Sequence, residues 1–452
     1  MKYGQVLVLI MLASLALSAH AQPERVERGQ LVLEDIPEIP AELYQRLQQY
    51  QNTRSASFAD WLHDGGLLIS TRFGDTRQIH RVRRPMGARE QLTFFPEPLT
   101  NAAVSPDESL DGFVYTRDVG GNEFYQLYWF DFASGESRLL SDGESRNTGP
   151  TWSNDGGRFA YASTRRDGRN YDIYVATPRD THETHRRVLE GEGLWVPMDW
   201  SPDDSRLLVI NYRSITESEI WMVDLATGER SQVYAQDEPV GFAGAAFDAS
   251  GEGVYVIHDH GAEFKQLHHL EVVSGETTGL STHIPWDVSS MTLSPDRERL
   301  AFAVNERGMS KLHLLEVSGA RVERLEAPEL PVGLIAGLSF DPDGEVLAMT
   351  LNTPQSPSAS LRRCLLRKAT TIRGCLTPNP SRSWLRCGTT RFRSGTCSPW
   401  TRGTDFAKNP TGIISRLQPC CSSASCSTSP RIERTPGRAD SARPGAGRQG
   451  LP

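Results

Sequence analysis

The chain has 452 residues, long enough for two or three ordinary domains, and a formal net charge of −8. That charge is unevenly spread: from Ala359 onward lie 17 of the 48 basic residues, only 3 of the 56 acidic ones, and all 7 cysteines. Composition therefore excludes one domain of uniform character, and the cysteine-free body must be held by packing without disulfides.

Met1 to Ala21 carry Lys2, an apolar run from Val6 to Leu17, and Ala19-His20-Ala21 ahead of Gln22. This is the pattern of a secretory signal peptide over residues 1–21, and the run is too short to span a bilayer. It predicts an exported protein, periplasmic or secreted. No later apolar stretch is long enough for a transmembrane helix. Residues 22–58 read as an N-terminal arm. After Pro37 and Pro40, Leu43, Leu47 and Tyr50 recur at i, i+4 and i+7, which predicts a short helix with one apolar face. It reads as a docking arm, the alternative being an exposed leader.

From residue 59 to 358 the chain repeats. Trp200-Ser201-Pro202-Asp203 recurs as Val104-Ser105-Pro106-Asp107, Trp152-Ser153-Asn154-Asp155-Gly156, Phe247-Asp248-Ala249-Ser250-Gly251, Leu293-Ser294-Pro295-Asp296 and Phe340-Asp341-Pro342-Asp343-Gly344. The leading residues are 48, 48, 47, 46 and 47 positions apart. In each unit a bulky residue ends one strand and a polar turn follows, where Pro presets φ, Asp caps its own backbone and Gly accepts positive φ. A second, apolar strand follows, such as Phe159-Ala160-Tyr161-Ala162. A third opens on a polar residue, as in Gln126-Leu127-Tyr128 and Glu219-Ile220-Trp221, and a fourth comes after a Gly turn such as Thr227-Gly228-Glu229. Four strands per unit of this length predict an all-β fold, a β-propeller of about seven four-stranded blades with the last incomplete. A plain β-sandwich has no need of turns in phase.

Certain stretches are more specific. Arg72-Phe73-Gly74-Asp75-Thr76-Arg77-Gln78-Ile79-His80, Pro85-Met86-Gly87-Ala88-Arg89-Glu90-Gln91-Leu92-Thr93 and Arg117-Asp118-Val119-Gly120-Gly121-Asn122-Glu123-Phe124-Tyr125 resemble the propeller half of prolyl oligopeptidase-family serine peptidases of the bacterial dipeptidyl aminopeptidase/acylaminoacyl-peptidase type. The arm is similar to that family too, and the resemblance runs from about Gly29 to Ser358. It implies a propeller set over an α/β-hydrolase domain, with peptides as partners. It also implies a Ser-Asp-His triad whose serine lies in a Gly-x-Ser-x-Gly elbow. Gly143-Glu144-Ser145, Gly308-Met309-Ser310 and Gly337-Leu338-Ser339 all lack the closing Gly, so no catalytic residue is carried onto any position. The chain reads as a substrate-gating propeller fragment without peptidase activity of its own, with a stand-alone, TolB-like periplasmic propeller as the alternative.

Beyond Ser358 strand alternation stops, and Arg, Ser, Cys, Thr and Pro dominate residues 359–452. An odd cysteine count, the adjacent Cys420-Cys421 and spacings that fit no zinc template argue against a disulfide or metal module. The tail reads as an unstructured product of a changed reading frame near Ala359. On that reading blade seven lacks its third and fourth strands, and Val346, Leu347 and Met349 lie incompletely covered. The tail's few aromatics (Trp384, Phe392, Trp400, Phe406) form no nucleic-acid module behind a secretory leader, so no nucleic-acid partner is expected. His258-Asp259-His260 with His268 and His269 offers imidazoles without a recognisable ligand spacing, so no metal is assigned, and no cofactor either. Glu123 reads as a residue of the central channel able to meet a peptide amino terminus, or as a turn residue.

Overall fold

The computed structural model describes residues 24–29 and 31–364. The leader Met1 to Ala21 and the tail beyond Cys364 lie outside the described residues. An exposed hairpin comes first, β1 (Arg25–Arg28) against β2 (Leu31–Glu34), and then helix α1 (Ala41–Gln51). The helix forms where its period predicts, but it buries no side chain, and Leu43, Leu47 and Tyr50 are all exposed. Among the described residues the arm docks on nothing with that face. Its end is held by polar contacts, Arg72 donating to the Gln51 carbonyl and the Arg54 guanidinium lying 5.1 Å from the Phe73 ring centre.

The repeats fold as seven antiparallel sheets arranged in chain order. Blade one is β3 (Ala56–Trp61), β4 (Leu67–Thr71), β5 (Gln78–Val82) and β6 (Glu90–Gln91). Blade two is β7 (Thr100–Val104), β8 (Gly112–Arg117), β9 (Gln126–Asp131) and β10 (Ser137–Leu139). Blade three is β11 (Thr151–Trp152), β12 (Phe159–Ser163), β13 (Asp172–Ala176) and β14 (Arg186–Leu189). Blade four is β15 (Leu194–Trp200), β16 (Arg206–Ser214), β17 (Glu217–Asp224) and β18 (Arg230–Gln232). Blade five is β19 (Phe242–Phe247), β20 (Gly253–His258), β21 (Gln266–Glu271) and β22 (Thr277–Gly279). Blade six is β23 (Val288–Leu293), β24 (Arg299–Glu306), β25 (Met309–Ser318) and β26 (Arg321–Leu325). Blade seven is β27 (Leu334–Phe340), β28 (Val346–Thr353) and β29 (Ser356–Cys364). Six blades are complete, and the seventh has three strands among the described residues.

Two expectations are corrected in blade seven. Its third strand is present and runs through the expected break, with Leu351 paired to Ala359 and Val346 to Cys364. The ladder is made by backbone groups, and Ala359 to Cys364 contains neither Pro nor Gly, so these residues pair whatever the character of the sequence after them. Leu347 and Met349 are fully buried against blade six, because Ala301, Leu314 and their neighbours cover that face of β28; Val346 is half-buried.

The core is divided into seven apolar clusters, one at each junction between neighbouring blades. A sheet buried on both faces needs apolar side chains on both, which is why the second strands read as continuous apolar runs: β12 and β20 are buried at every position. Ring closure uses the same packing, and among the described residues no strand is exchanged between the first and last blades. Ala56, Trp61, Leu67, Ile69 and Val82 of blade one meet Ala348 and Val346 of blade seven. Two polar ties reinforce it, the Trp61 indole donating to the Ser339 carbonyl at 3.1 Å and the Phe58 N–H to Thr350 Oγ1 at 2.8 Å.

The closing junction gives a first prediction. Trp61→Ala is expected to destabilise the chain by about 3–5 kcal/mol through the cavity it leaves, and Trp61→Phe by about 1 kcal/mol through the lost hydrogen bond. The midpoints of urea unfolding measure both, and equal midpoints for the two variants would contradict this account of closure.

Candidate functional site

The first strand of every blade is an edge strand, and the seven edges face the axis. Five of them, those of blades three to seven, line a cavity of about 670 Å³ whose wall includes Thr151, Met198, Asp199, Ala243 to Ala246, Ser289 to Leu293, and Ser339. Small side chains on β19 and β23 keep the axis open where strands converge. In six of the seven blades the first strand carries a β-bulge against the second, as between Phe58 and Asp60 and between Pro197 and Asp199. A bulge adds one residue and so re-aims the side chain after it. In blades one and four that side chain is a carboxylate.

Asp199 is met by Arg297, which projects from the turn of blade six. Arg297 Nη1 donates to Asp199 Oδ2 at 2.7 Å and Nη2 to Oδ1 at 3.1 Å. The same guanidinium donates to the Phe247 carbonyl (2.9 Å), the Trp200 carbonyl (2.9 Å) and Asn154 Oδ1 (3.0 Å). One side chain thus ties blades three, four, five and six together at the turn end of the axis. Burial pulls the Asp199 carboxyl upward in pKa, and the Arg297 guanidinium pulls it back. Arg297 has φ 58°, where Gly156, Gly251 and Gly344 stand in the turns of blades three, five and seven. A left-handed arginine costs about 1 kcal/mol, and here it directs the side chain across the axis.

Asp60 is held without a charged partner among the described residues. It accepts the N–H groups of Trp61 (2.8 Å) and Val104 (2.7 Å), and burial pushes its pKa up from 3.8 to about 7.

The histidines expected to be near one another divide among separate partners. His258 stacks on His268 with ring centres 4.3 Å apart, His260 Nδ1 lies 2.8 Å from the Tyr234 hydroxyl, and His269 Nε2 pairs with Asp248 at 3.0 Å. Asp259 takes Lys265 at 2.7 Å. Among the described residues no group of three or more such side chains is placed to hold a metal ion. Burial and the neighbouring His268 and His260 lower His258 to about 3, as expected of a packed neutral ring. Of the two readings of Glu123 the structure agrees with the turn residue: it sits in the exposed loop between β8 and β9, off the first strand, with its N–H bound to Asp118. The serines in near-elbow sequences also serve local structure. Ser145 Oγ donates to Asp142, Ser310 Oγ accepts the Ile335 N–H at 3.0 Å, and Ser339 Oγ donates to the Phe340 carbonyl at 3.2 Å. Sequence reading passed over Asp60, Asp199 and Arg297. The one signal available was the Asp-Trp pair repeated at 60–61 and 199–200.

No family model matches the chain. Over 209 residues it is 27% identical to a Bacillus subtilis (strain 168) protein named uncharacterized peptidase YuxL, covering 46% of this chain and 29% of that one. The fold is similar to that of a chain from a structural study of two prolyl endopeptidases, with a TM-score of 0.56 at 13% identity over 77% of this chain and 58% of the other. A TolB from Acinetobacter baumannii aligns at a TM-score of 0.41 and a putative TolB from Agrobacterium tumefaciens at 0.40, each 16% identical. The chain spans less than two thirds of both the peptidase and the prolyl endopeptidase it matches. The prolyl endopeptidase match agrees with the propeller, and together with the peptidase match it agrees with the resemblance read from the residues. Among the described residues no helix is long and apolar enough to cross a membrane.

Two predictions follow from the carboxylates. Arg297→Gly relieves the backbone but strands Asp199, and is expected to cost about 3–5 kcal/mol, much of it recovered by Asp199→Asn in the double variant; unfolding midpoints that add independently would refute the pairing. For Asp60 the native value lies above the unfolded one, so the folded chain binds that proton more tightly. Stability from this group is full below about pH 4, declines as pH rises to about 7, and is flat above. Asp60→Asn should therefore match the wild-type melting temperature near pH 4 and exceed it at pH 8.

Proposed function

We propose that this chain is the peptide-binding, gating propeller of an exported prolyl oligopeptidase-type serine peptidase, and that it does not itself cleave peptides. The observation that carries the reading is the axial cavity of about 670 Å³ walled by the edges of first strands. Edge strands present backbone N–H and C=O groups, which recognise an extended chain by main-chain hydrogen bonds and pass over most of its side chains. A channel of that kind admits unfolded peptides and excludes folded proteins. The sequence resemblance over residues 29–358 and the likeness in fold to a prolyl endopeptidase support the peptidase context. The signal-peptide pattern of residues 1–21 supports export.

Hydrolysis needs a nucleophile, a base and an oxyanion hole together. Among the described residues Ser145, Ser310 and Ser339 have no histidine as a hydrogen-bond partner, and no residue of the propeller is assigned a catalytic role. The purified full chain is expected to show no turnover of aminoacyl- or acyl-peptide substrates; turnover abolished by a serine-directed inhibitor would overturn the proposal. The changed reading frame remains part of it. Reading the DNA beyond codon 358 in all three frames tests that directly: a Gly-x-Ser-x-Gly elbow in another frame supports the peptidase, and its absence supports a stand-alone propeller.

A further inference from the structure

Two first strands end in the same dipeptide, Asp60-Trp61 in blade one and Asp199-Trp200 in blade four. Their carboxylates occupy the same hydrogen-bond frame. Asp60 accepts from its own successor, Trp61, and from Val104 at the end of the next blade's first strand. Asp199 accepts from Trp200 and from Phe247 in the same two ways. The indoles match as well, Trp61 donating to Ser339 and Trp200 to Thr151, each in the preceding blade.

The frames differ in one group. The turn two blades on from Asp199 supplies Arg297. The turn two blades on from Asp60 is Ser153-Asn154-Asp155-Gly156, where Gly156 holds the place of Arg297 in Ser294-Pro295-Asp296-Arg297. A side chain at Gly156 is sterically barred, since a Cβ there would lie 2.1 Å from the Asp107 nitrogen. Asp60 has no ion-pair partner among the described residues. Each of its oxygens retains a lone pair after its backbone bond. Asp60 is only part-buried, and its immediate partners adjoin the cavity wall: Trp61 donates to the wall residue Ser339, and Val104 lies two residues before the wall residue Pro106.

We infer that Asp60 is the seat of a guanidinium carried by the ligand, an arginine side chain of an extended peptide, which takes the place that Arg297 takes at Asp199. The inference rests on the proposed reading of the channel as a peptide site and names its preferred side chain. Arginine fits better than lysine because two oxygens lie side by side for a planar fork of N–H donors, the arrangement seen at Asp199. A carboxylate withdrawn from water without a counter-charge is unfavourable unless something pairs it. Burial raises the pKa of Asp60, and a facing guanidinium would lower it, as Arg297 does at Asp199.

The test uses the full chain and two peptides, acetyl-Ala-Ala-Arg-Ala-amide and its citrulline counterpart, which keeps the shape and loses the charge. Titration calorimetry is expected to show the arginine peptide binding the wild-type chain about tenfold or more tightly than the citrulline peptide, the factor of a charge-assisted hydrogen bond. Asp60→Asn should remove the difference, leaving both peptides at the citrulline affinity. Equal affinities for the wild-type chain, a comparison that needs no variant to fold, overturn the seat and leave a peptide-binding channel standing. An arginine preference that survives in Asp60→Asn does the same. No measurable binding of either peptide overturns the channel reading, and the seat with it.

Discussion

The structure depends on how one first strand is fastened to the next. The tie is made by three side chains at the end of the strand and the start of the one after it. A tryptophan indole reaches back to the preceding blade's first-strand carbonyl, as Trp152 does to Ala103 and Trp200 to Thr151. An aspartate reaches forward to the next blade's backbone N–H, as Asp199 does to Phe247. An arginine opening the second strand reaches forward to the next turn: Arg158 to the Asp204 carbonyl, Arg206 to that of Gly251 and Arg299 to that of Gly344. Arg158 and Arg206 also lie over Trp200 and Phe247, the aromatic residues that end the neighbouring first strands. These bonds satisfy buried backbone groups that an edge strand cannot pair within its own sheet. They hold adjacent sheets in the register that lets the seven apolar clusters pack.

The turn is where this scheme leaves room for specialisation. Its last residue takes a left-handed backbone in six of the seven blades, and four of these six are glycine: Gly65, Gly156, Gly251 and Gly344. Blade four has Asp204 there instead, and its carboxylate caps the N–H groups of Asn154 and Asp155 in the turn of blade three. Blade six has Arg297. Both departures put a side chain where glycine has none, and both use it to bind a different blade. Strain of this order persists where surrounding contacts over-determine it. Here five hydrogen bonds to one guanidinium do so.

Much of the fold was legible because it is written in a period. Turn chemistry at steps of 46 to 48 residues marked the blades, and polar-then-apolar openings such as Asp172-Ile173-Tyr174 marked the third strands. The site was far less legible. Asp60 and Asp199 look like ordinary residues before a tryptophan, and the bulges that aim them leave no mark in the local sequence. Arg297 lies 98 residues from its partner and reads as one more turn residue. The histidines carried no assignment, and adjacency at 258–260 and 268–269 brings rings near without converging their nitrogens. The end of blade seven was misread because a change in composition was taken for the end of pairing, whereas the ladder to Cys364 depends on backbone groups alone.

The two faces of the ring then have unlike tasks. The turns lie on one face, and there Arg297 draws blades three to six together across the axis. The loops joining second to third strands and the connections between blades lie on the other. That second face carries exposed apolar side chains: Phe73, Val119, Phe124 and Ile215 in the loops, Phe94 and Val332 between blades, and Leu334 at the start of β27. The N-terminal arm leaves from the same face, because it leads into the start of β3. A channel latched at its turn end by a buried ion pair resists opening there, since parting Arg297 from Asp199 would strand two charges away from water. The loop face has no comparable bond across its mouth among the described residues. On the proposed reading an extended ligand would enter from the loop face and travel toward the carboxylates, and Asp60, at the far end of β3, would be met by the part of the ligand that goes in first.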